Sequence, residues 1–145
     1  MAEKAKPAPE CVILVGLPGA GKSTFARARF PDHDYISKDA FPPAAKDKQA
    51  RQDAALRASL GAGRAVLVDN TNVTRADRAT VIRIAREFDA RVVGYYFEVS
   101  TRDAVARNER REGRAKVPKV AIFTAAKRLE PPALDEGFDD LTVVR

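Results

Sequence analysis

A glycine-rich octapeptide, set between an apolar run and a helical segment, is the feature that most constrains the fold of this chain. Residues 16–23 read GLPGAGKS, which satisfies the spacing G-x-x-x-x-G-K-[ST]. The preceding residues 11–15 are apolar and largely β-branched, as expected of a strand buried on both faces of a parallel sheet. Residues 22–30 favour a helix that Pro31 ends. This order of strand, loop and helix predicts a loop that binds phosphate groups.

The residue types in this loop suit a polyphosphate. Glycine backbones can turn their N–H groups toward a β-phosphate, and the positive end of the following helix adds to the attraction. Lys22 would place its ammonium against the β- and γ-phosphates, and the Ser23 hydroxyl is a hard oxygen ligand for Mg²⁺. A strand-turn-helix corner, in which glycines serve backbone geometry only, is the alternative. The residues predicted to bind ATP are Gly16, Pro18, Gly19, Ala20, Gly21, Lys22, Ser23 and Thr24, with Ser23 also on the metal.

Apolar runs alternate with amphipathic segments along the rest of the chain. Strands are predicted at residues 34–36, 65–68, 91–99 and 141–144, and helices at about 44–60 and after Thr74, Ser100 and Pro118. The pattern predicts an α/β fold with a mostly parallel central sheet of about five strands and helices on both faces. Residues 1–10, rich in Ala, Pro and charge, are predicted to be a flexible arm ahead of one domain at 11–145.

Acidic and amide side chains follow two predicted strands, at the sheet edge where ligands of such folds bind. Asp39 lies just beyond the second strand, where its carboxylate could take the proton of an attacking hydroxyl. Helix capping or a surface charge is the alternative for Asp39. Asp69 ends the third strand and either lies near the Mg²⁺ or its waters, or holds the acceptor or a neighbouring loop. Asn70 and Asn72 suit turns and caps as well as contacts with an acceptor.

A basic cluster follows the fourth strand. On a helix, Arg107, Arg111 and Arg114 would recur at spacings of four and three and share one side. Arginine forks suit the spread charge of a transferring phosphate, so the cluster predicts an Arg-rich lid that closes over ATP. A solvated helix, paired with Asp103, Glu109 and Glu112, is the alternative.

The charge balance favours polyanionic partners. The chain has 26 Lys and Arg against 20 Asp and Glu, a net charge of +6, which attracts nucleic acids or phosphate-rich ligands. The single cysteine excludes a disulfide framework within the chain and a cysteine metal cluster. No apolar stretch reaches the length of a membrane span, so we predict a cytoplasmic protein with no membrane partner. The oligomeric state is not predicted.

Taken together, these segments resemble the polynucleotide 5′-hydroxyl kinase family, which includes the kinase domains of phage and animal end-healing enzymes. The likeness runs from about residue 11 to the C-terminus. It rests on GLPGAGKST at 16–24, SKD at 37–39, VDNTN at 68–72, RNERR at 107–111, VP at 117–118 and EGFDDL at 136–141. The resemblance implies a P-loop NTPase fold of the nucleoside-monophosphate-kinase-like type, and transfer of the ATP γ-phosphate to the 5′-OH of DNA or RNA.

The resemblance also implies roles for individual residues. Asp39 matches the family's general base, Lys22 and Ser23 match its phosphate and magnesium contacts, and Arg111 matches the lid arginine on the transferring phosphate. Arg107 and Arg111 are therefore predicted to contact ATP, and Asp39, Lys22 and Arg111 to be catalytic.

The chain departs from the family at the acceptor site. The family often has arginine in place of Lys38, and an acid followed by an arginine within the segment that reads AFPP here, at 40–43. The arginine that grips the acceptor phosphate is thus missing from its usual place, and Arg75 or Arg78 could substitute. The residues predicted to bind the acceptor are Lys38, Asp69, Asn70, Asn72 and Arg78. A small-molecule kinase with a nucleoside, sugar or antibiotic acceptor, and a nucleotide-binding interaction module, remain alternatives.

Overall fold

A five-stranded parallel sheet forms the centre of the molecule in the computed structural model, which describes residues 9–113 and 116–145. Its strands are β1 (Glu10–Val15), β2 (Asp34–Ile36), β3 (Val66–Asp69), β4 (Arg91–Phe97) and β5 (Asp140–Val144). They lie in the order β2-β3-β1-β4-β5, and all four neighbouring pairs are parallel. The predicted α/β fold is therefore confirmed. Most of the predicted N-terminal arm, residues 1–8, lies outside the described residues.

Strand β1 occupies the middle of the sheet because its side chains are apolar on both faces. Ile13 lies in register with Val68 of β3 and Gly94 of β4. A Cβ on Gly94 would lie 2.7 Å from a ring carbon of Phe138, so a glycine is needed there for the chain after β4 to pack on the sheet. The residues of β1 from Cys11 to Val15 are all fully buried, as an all-parallel sheet requires.

Five α-helices pack around the sheet in the residues that the structure describes, and two of them begin at the predicted caps. The helices are α1 (Lys22–Arg29), α2 (Lys48–Gly61), α3 (Arg75–Glu87), α4 (Thr101–Glu109) and α5 (Lys119–Arg128). The Thr74 hydroxyl accepts the Asp77 amide, and the Ser100 hydroxyl accepts the Asp103 amide, both at 3.1 Å. Among the described residues, no helix has both the length and the apolar character needed to cross a membrane.

Two helix ends differ from the sequence prediction. Helix α2 begins at Lys48 rather than near residue 44, because Asp47 has a φ of 56°, which a helix interior does not accept. Helix α4 ends at Glu109, so Arg111 follows the helix and does not share a helical side with Arg107. Arg114, the third arginine of the predicted series, lies outside the described residues.

The helices are divided between the two faces of the sheet. Helices α2 and α3 bury Leu56 and Ile84 against one face of the sheet. Helix α1 covers the other face, where Phe25 packs on Tyr95 and Phe97 at ring distances of 5.1 and 5.2 Å. Helices α4 and α5 pack on each other at the carboxyl edge of the strands. This arrangement leaves the ends of β1 and β3 as the place where polar side chains collect.

Candidate active site

The glycine-rich loop lies directly after the central strand β1 and is held there by backbone contacts. The Gly16 amide donates to the Thr71 carbonyl at 2.9 Å, which joins the loop to the segment after β3. Gly19 and Gly21 have φ values of 84° and 92°, which other residues rarely adopt. A Cβ on Gly19 would lie only 2.5 Å from the Ala104 carbonyl oxygen. The loop glycines therefore set the turn and also allow helix α4 to pack against it.

Lys22 is a buried cation at the start of α1. Its ammonium donates to the Gly16 carbonyl at 2.9 Å and to the Leu17 carbonyl at 2.7 Å. Burial lowers the pKa of Lys22 from 10.5 to about 8. Asp69 and Asp39 oppose this fall in pKa, whereas Arg111 adds to it. The Lys22 ammonium is therefore within electrostatic range of the predicted base, the second acid and the predicted lid arginine.

Ser23 and Asp69 form the second contact between the loop and β3. The Ser23 hydroxyl donates to Asp69 Oδ2 at 2.8 Å, and the Tyr35 hydroxyl donates to the same oxygen at 2.6 Å. Asp69 is buried, whereas the Tyr35 ring is half exposed. Burial together with the Asp69 carboxylate raises the pKa of Tyr35 to about 12, so the phenol remains a donor.

The sequence reasoning missed Tyr35, which it treated only as a strand residue. The signal lies in the register of β2 on β3, in which Tyr35 is opposite Leu67. Since side chains alternate along a strand, Asp69 points to the same face as Leu67, and therefore to the face of Tyr35. The pairing register was needed to see this.

Asp39 lies at the same edge, in a short 3-10 turn over Lys38–Ala40. The turn is fixed by its backbone, because the Lys38 amide donates to Asn70 Oδ1 at 2.9 Å. Asn70 in turn donates to Gln52 of α2 at 2.6 Å. The Asp39 carboxylate is exposed. Asn70, predicted to bind the acceptor, is thus already engaged in holding the turn that carries Asp39.

Asn72 and Arg78 support the loop after β3 from inside the protein. Asn72 has a φ of 47° and donates to the Leu14 carbonyl at 2.8 Å. Arg78 is fully buried, pairs with both Glu136 oxygens at 2.8 and 3.0 Å, and donates to the Asn72 carbonyl at 2.8 Å. These contacts argue against the predicted binding of the acceptor by Arg78, because its guanidinium is enclosed. Arg75, the other candidate, pairs with Asp135 at 3.1 Å.

Arg107 and Arg111 line a pocket of about 450 Å³ beside the phosphate loop. Arg107 donates to the Ala20 carbonyl at 2.9 Å, which fastens α4 to the loop. The pocket also has apolar walls from Phe97, Val99 and Val144, and Thr24 lies at its side. A largely apolar pocket with a few polar groups next to a phosphate loop has the character of a nucleobase site.

The oxygen ligands at the loop suit a hard cation. Ser23 and Asp69 supply a hydroxyl and a carboxylate whose oxygens lie 2.8 Å apart. Mg²⁺ is typically held by one or two such protein oxygens, with substrate phosphates and waters completing the shell. The described part of the chain contains no group of three or more His, Cys, Asp or Glu that could hold a metal by itself. The donor set therefore fits a magnesium that arrives with a phosphate ligand.

Comparison with known proteins identifies relatives in both sequence and structure. A family profile described as an AAA domain matches residues 11–132. The bifunctional polynucleotide phosphatase/kinase of Schizosaccharomyces pombe is 31% identical over 140 residues, which cover 93% of this chain and 33% of the relative. The chain thus spans about a third of the length of this curated relative.

Two solved structures show how widely the fold is shared. Kti12 of Chaetomium thermophilum, in complex with ADP-AlF3, has a TM-score of 0.75 at 20% identity, covering 92% of this chain and 88% of that protein. A sugar kinase from Janibacter sp. HTCC2649 has a TM-score of 0.69 at 19% identity, covering 94% of this chain and 84% of that protein. Likeness at these identities shows a common fold and leaves the acceptor open.

Proposed function

Because the chain belongs to the AAA domain family of P-loop proteins, we propose that it is an ATP-dependent kinase that phosphorylates the 5′-OH of DNA or RNA. The observation that carries the proposal is the geometry of the glycine-rich loop, where the buried Lys22 ammonium contacts the Gly16 and Leu17 carbonyls and the Ser23 hydroxyl donates to Asp69 at 2.8 Å. Similarity to a polynucleotide phosphatase/kinase supports the choice of acceptor. We take residues 11–145 as one kinase domain, since β1 and β5 belong to one sheet.

The donor in this proposal is ATP, bound along the glycine-rich loop. Backbone N–H groups of the loop and the first turn of α1 would surround the β-phosphate. The Lys22 ammonium would exchange its contacts with the Gly16 and Leu17 carbonyls for β- and γ-phosphate oxygens. Thr24 would lie at the α-phosphate, and the base would enter the pocket between Val99 and Val144.

Ser23 and Asp69 are the residues that would hold Mg²⁺. When bound, the metal neutralises charge that develops on the phosphate oxygens during transfer. The protein's part is to fix the two oxygens, and the hydroxyl of Tyr35 contributes to this by donating to Asp69.

Asp39 would act as the general base and Arg111 as the arginine on the transferring phosphate. An exposed carboxylate at the edge of the phosphate loop can accept the proton of an incoming hydroxyl, while the guanidinium stabilises the charge on the phosphoryl oxygens. Arg107, fastened to Ala20, would keep the arginine-bearing segment close to ATP. We propose that this segment closes as a lid when ATP is bound.

A small-molecule kinase is the second candidate. It is favoured by the missing acceptor arginine, because residues 40–43 read AFPP and Arg78 is enclosed with Glu136. A sugar kinase shares the fold, so the architecture accommodates an acceptor of that class in another protein. The net charge of +6 favours the polyanionic acceptor, since a sugar hydroxyl needs no basic field.

The deciding experiment offers several acceptors to the purified protein with magnesium and γ-labelled ATP. The panel contains a 5′-OH DNA strand, a 5′-OH RNA strand, the same strands already 5′-phosphorylated, and a set of sugars and nucleosides. We expect label only on the 5′-OH strands. Label on a sugar or nucleoside, with none on the strands, would overturn the polynucleotide proposal.

Asp39→Asn tests the base within the same experiment. We expect this variant to lose about a hundredfold or more in kcat while it retains ATP affinity. Asp32→Asn, which changes an exposed aspartate in the loop after α1, serves as the matched control and should keep full turnover. Full turnover by Asp39→Asn would remove Asp39 from the mechanism.

A further inference from the structure

The outer face of helix α5 carries an exposed apolar pair set between lysines. Phe123 and Val120 are 53% and 66% exposed, and lie three residues apart on the helix. Lys119 and Lys127 lie four residues before and after Phe123, so all four side chains share one side. We call these four residues the α5 stripe. The helix sequence KVAIFTAAKR contains no Asp or Glu, so every charged side chain of this helix is basic.

The stripe is positioned by the opposite side of the helix. Ile122 and Ala125 are buried in a cluster that includes Leu17 of the phosphate loop and Val73, which follows β3. The chain after α5 is tied to the same place, because the Glu130 amide donates to the Val73 carbonyl at 2.8 Å. Helix α5 therefore lies beside the phosphate loop. Its outer face is about one helix diameter, ~10 Å, from the loop.

Two lysines of this region, Lys116 and Lys119, form only exposed ion pairs. The ammonium groups of Lys119 and Lys116 lie 3.6 and 3.7 Å from the two oxygens of Glu109, and all three side chains are about half exposed. Exposed ion pairs of this length contribute little and yield readily to a polyanion. Two cations thus share one carboxylate, which leaves a net positive charge beside Phe123.

Exposed aromatic and basic side chains in one row suit single-stranded nucleic acid. The cations follow the phosphate backbone, and the aromatic ring offers a surface on which a base stacks. A membrane surface is a poorer occupant, because two apolar side chains on a ten-residue helix offer little area to insert. A stable protein partner would likewise require a larger apolar patch.

We propose that the α5 stripe binds the acceptor strand beyond its 5′ end, with a base stacked on Phe123 and phosphates near Lys119 and Lys127. This inference rests on the proposed polynucleotide kinase function. At ~3.4 Å per stacked nucleotide, a distance of ~10 Å corresponds to about three internucleotide spacings. A 5′-OH trinucleotide contains only two such spacings, ~7 Å, so it occupies the active site and ends short of Phe123, whereas a longer strand reaches it.

The test compares KM for a 5′-OH trinucleotide with KM for a long 5′-OH oligonucleotide. In the wild type, the long strand has the lower KM. Phe123→Ala raises KM for the long strand by about tenfold, leaves KM for the trinucleotide unchanged, and leaves ATP affinity unchanged. Phe123→Tyr, which keeps a stacking ring, restores the wild-type KM. Lys127→Gln lowers the slope of log KM against log salt by about one.

Matched controls separate the stripe from general surface effects. Leu134→Ala removes a side chain that is 60% exposed and lies outside the helix, and should leave both KM values unchanged. Arg83→Gln removes an exposed cation of α3 and should leave the salt slope unchanged.

The outcomes distinguish the inference from the function on which it rests. Equal KM values for Phe123→Ala and the wild type on the long strand overturn the stripe while the kinase proposal stands. If Phe123→Ala loses binding to vesicles of phosphatidylcholine and phosphatidylserine that the wild type shows, while its KM for the long strand is unaltered, the stripe binds a membrane surface and the inference is overturned. Failure of the wild type to phosphorylate any 5′-OH strand overturns both proposals.

Discussion

The Tyr35 hydroxyl lies 2.6 Å from Asp69 Oδ2, the oxygen that also accepts the Ser23 hydroxyl at 2.8 Å. Two donors on one carboxylate oxygen fix the orientation of the Asp69 side chain at the end of β3. Hydrogen bonds to a charged acceptor are stronger than those between neutral groups. Strand β2 therefore contributes to the proposed magnesium site through Tyr35, and the proposed base, Asp39, lies three residues past the end of the strand.

Tyr35→Phe should weaken magnesium binding more than it changes the fold. Loss of one hydrogen bond to a carboxylate is worth about 1.5–3 kcal/mol, so the magnesium concentration for half-maximal turnover should rise about tenfold or more. Tyr95→Phe, on the same sheet face and packed on Phe25, is the control and should leave it unchanged. Equal magnesium requirements in Tyr35→Phe and the wild type would show that Asp69 holds its orientation without Tyr35.

Lys22 should make ATP affinity depend on pH. The protonated ammonium binds phosphate, and burial lowers the pKa of Lys22 to about 8 in the protein without ATP. Below this pH the group is already charged and the affinity should be constant. Above it, binding requires uptake of a proton, so affinity should fall by up to about tenfold per pH unit until the higher pKa of the ATP complex is reached.

Titration of ATP affinity from about pH 7 to 11 covers both the lowered and the ordinary pKa of lysine. Lys22→Arg is the matched control, because a guanidinium remains protonated over this range. We expect this variant to bind ATP more weakly than the wild type, but its ATP affinity should not decrease further above pH 8. A constant affinity in the wild type would show that Lys22 is not the cation that binds the phosphates.

Much of the fold was predictable because its signals are local. The glycine spacing at 16–23, the bounds of β2 and the caps at Thr74 and Ser100 each depend on a few neighbouring residues. The errors lie where a helix end is set by backbone conformation. Asp47 adopts a positive φ ahead of α2; Asp enters this conformation more often than most residues, but its residue type alone does not require it. The end of α4 at Glu109 was likewise missed, since the following arginines keep a helical spacing.

The site was predictable in its loop but not in its supporting contacts. Tyr35 and Asp69 are 34 residues apart, and their hydrogen bond depends on the register of two strands. Arg78 and Glu136 are 58 residues apart, so the burial of Arg78 depends on where the segment before β5 returns. The contacts of Asn70, Asn72 and Arg78 inside the protein were not part of the prediction that they bind the acceptor, because their partners are distant in the sequence.

Gly19→Ala should reduce both stability and ATP affinity. The added Cβ would meet the Ala104 carbonyl at 2.5 Å in a residue whose φ is 84°, so α4 and its Arg107 must move away from the loop. Gly63→Ala is the matched control, because its φ is 76° and no atom lies within 4 Å of the added Cβ. The free energy of unfolding of the control should fall only by the cost of the added backbone strain, about 1–3 kcal/mol. Urea unfolding of both variants measures the difference, and equal losses would contradict contact between the loop and α4.

The ion pair of Arg78 with Glu136 should contribute to the stability of the fold and not to binding of the acceptor. Arg78→Met leaves a buried carboxylate unpaired, so the free energy of unfolding should fall by about 3–5 kcal/mol. Adding Glu136→Gln should recover part of the loss, because the uncompensated charge is gone while the amide oxygen still accepts the Ala133 amide. With stability partly restored, KM for a 5′-OH strand should equal that of the wild type. A KM that stays raised in the double variant would return Arg78 to the acceptor site and would require the guanidinium to leave Glu136 when the strand binds.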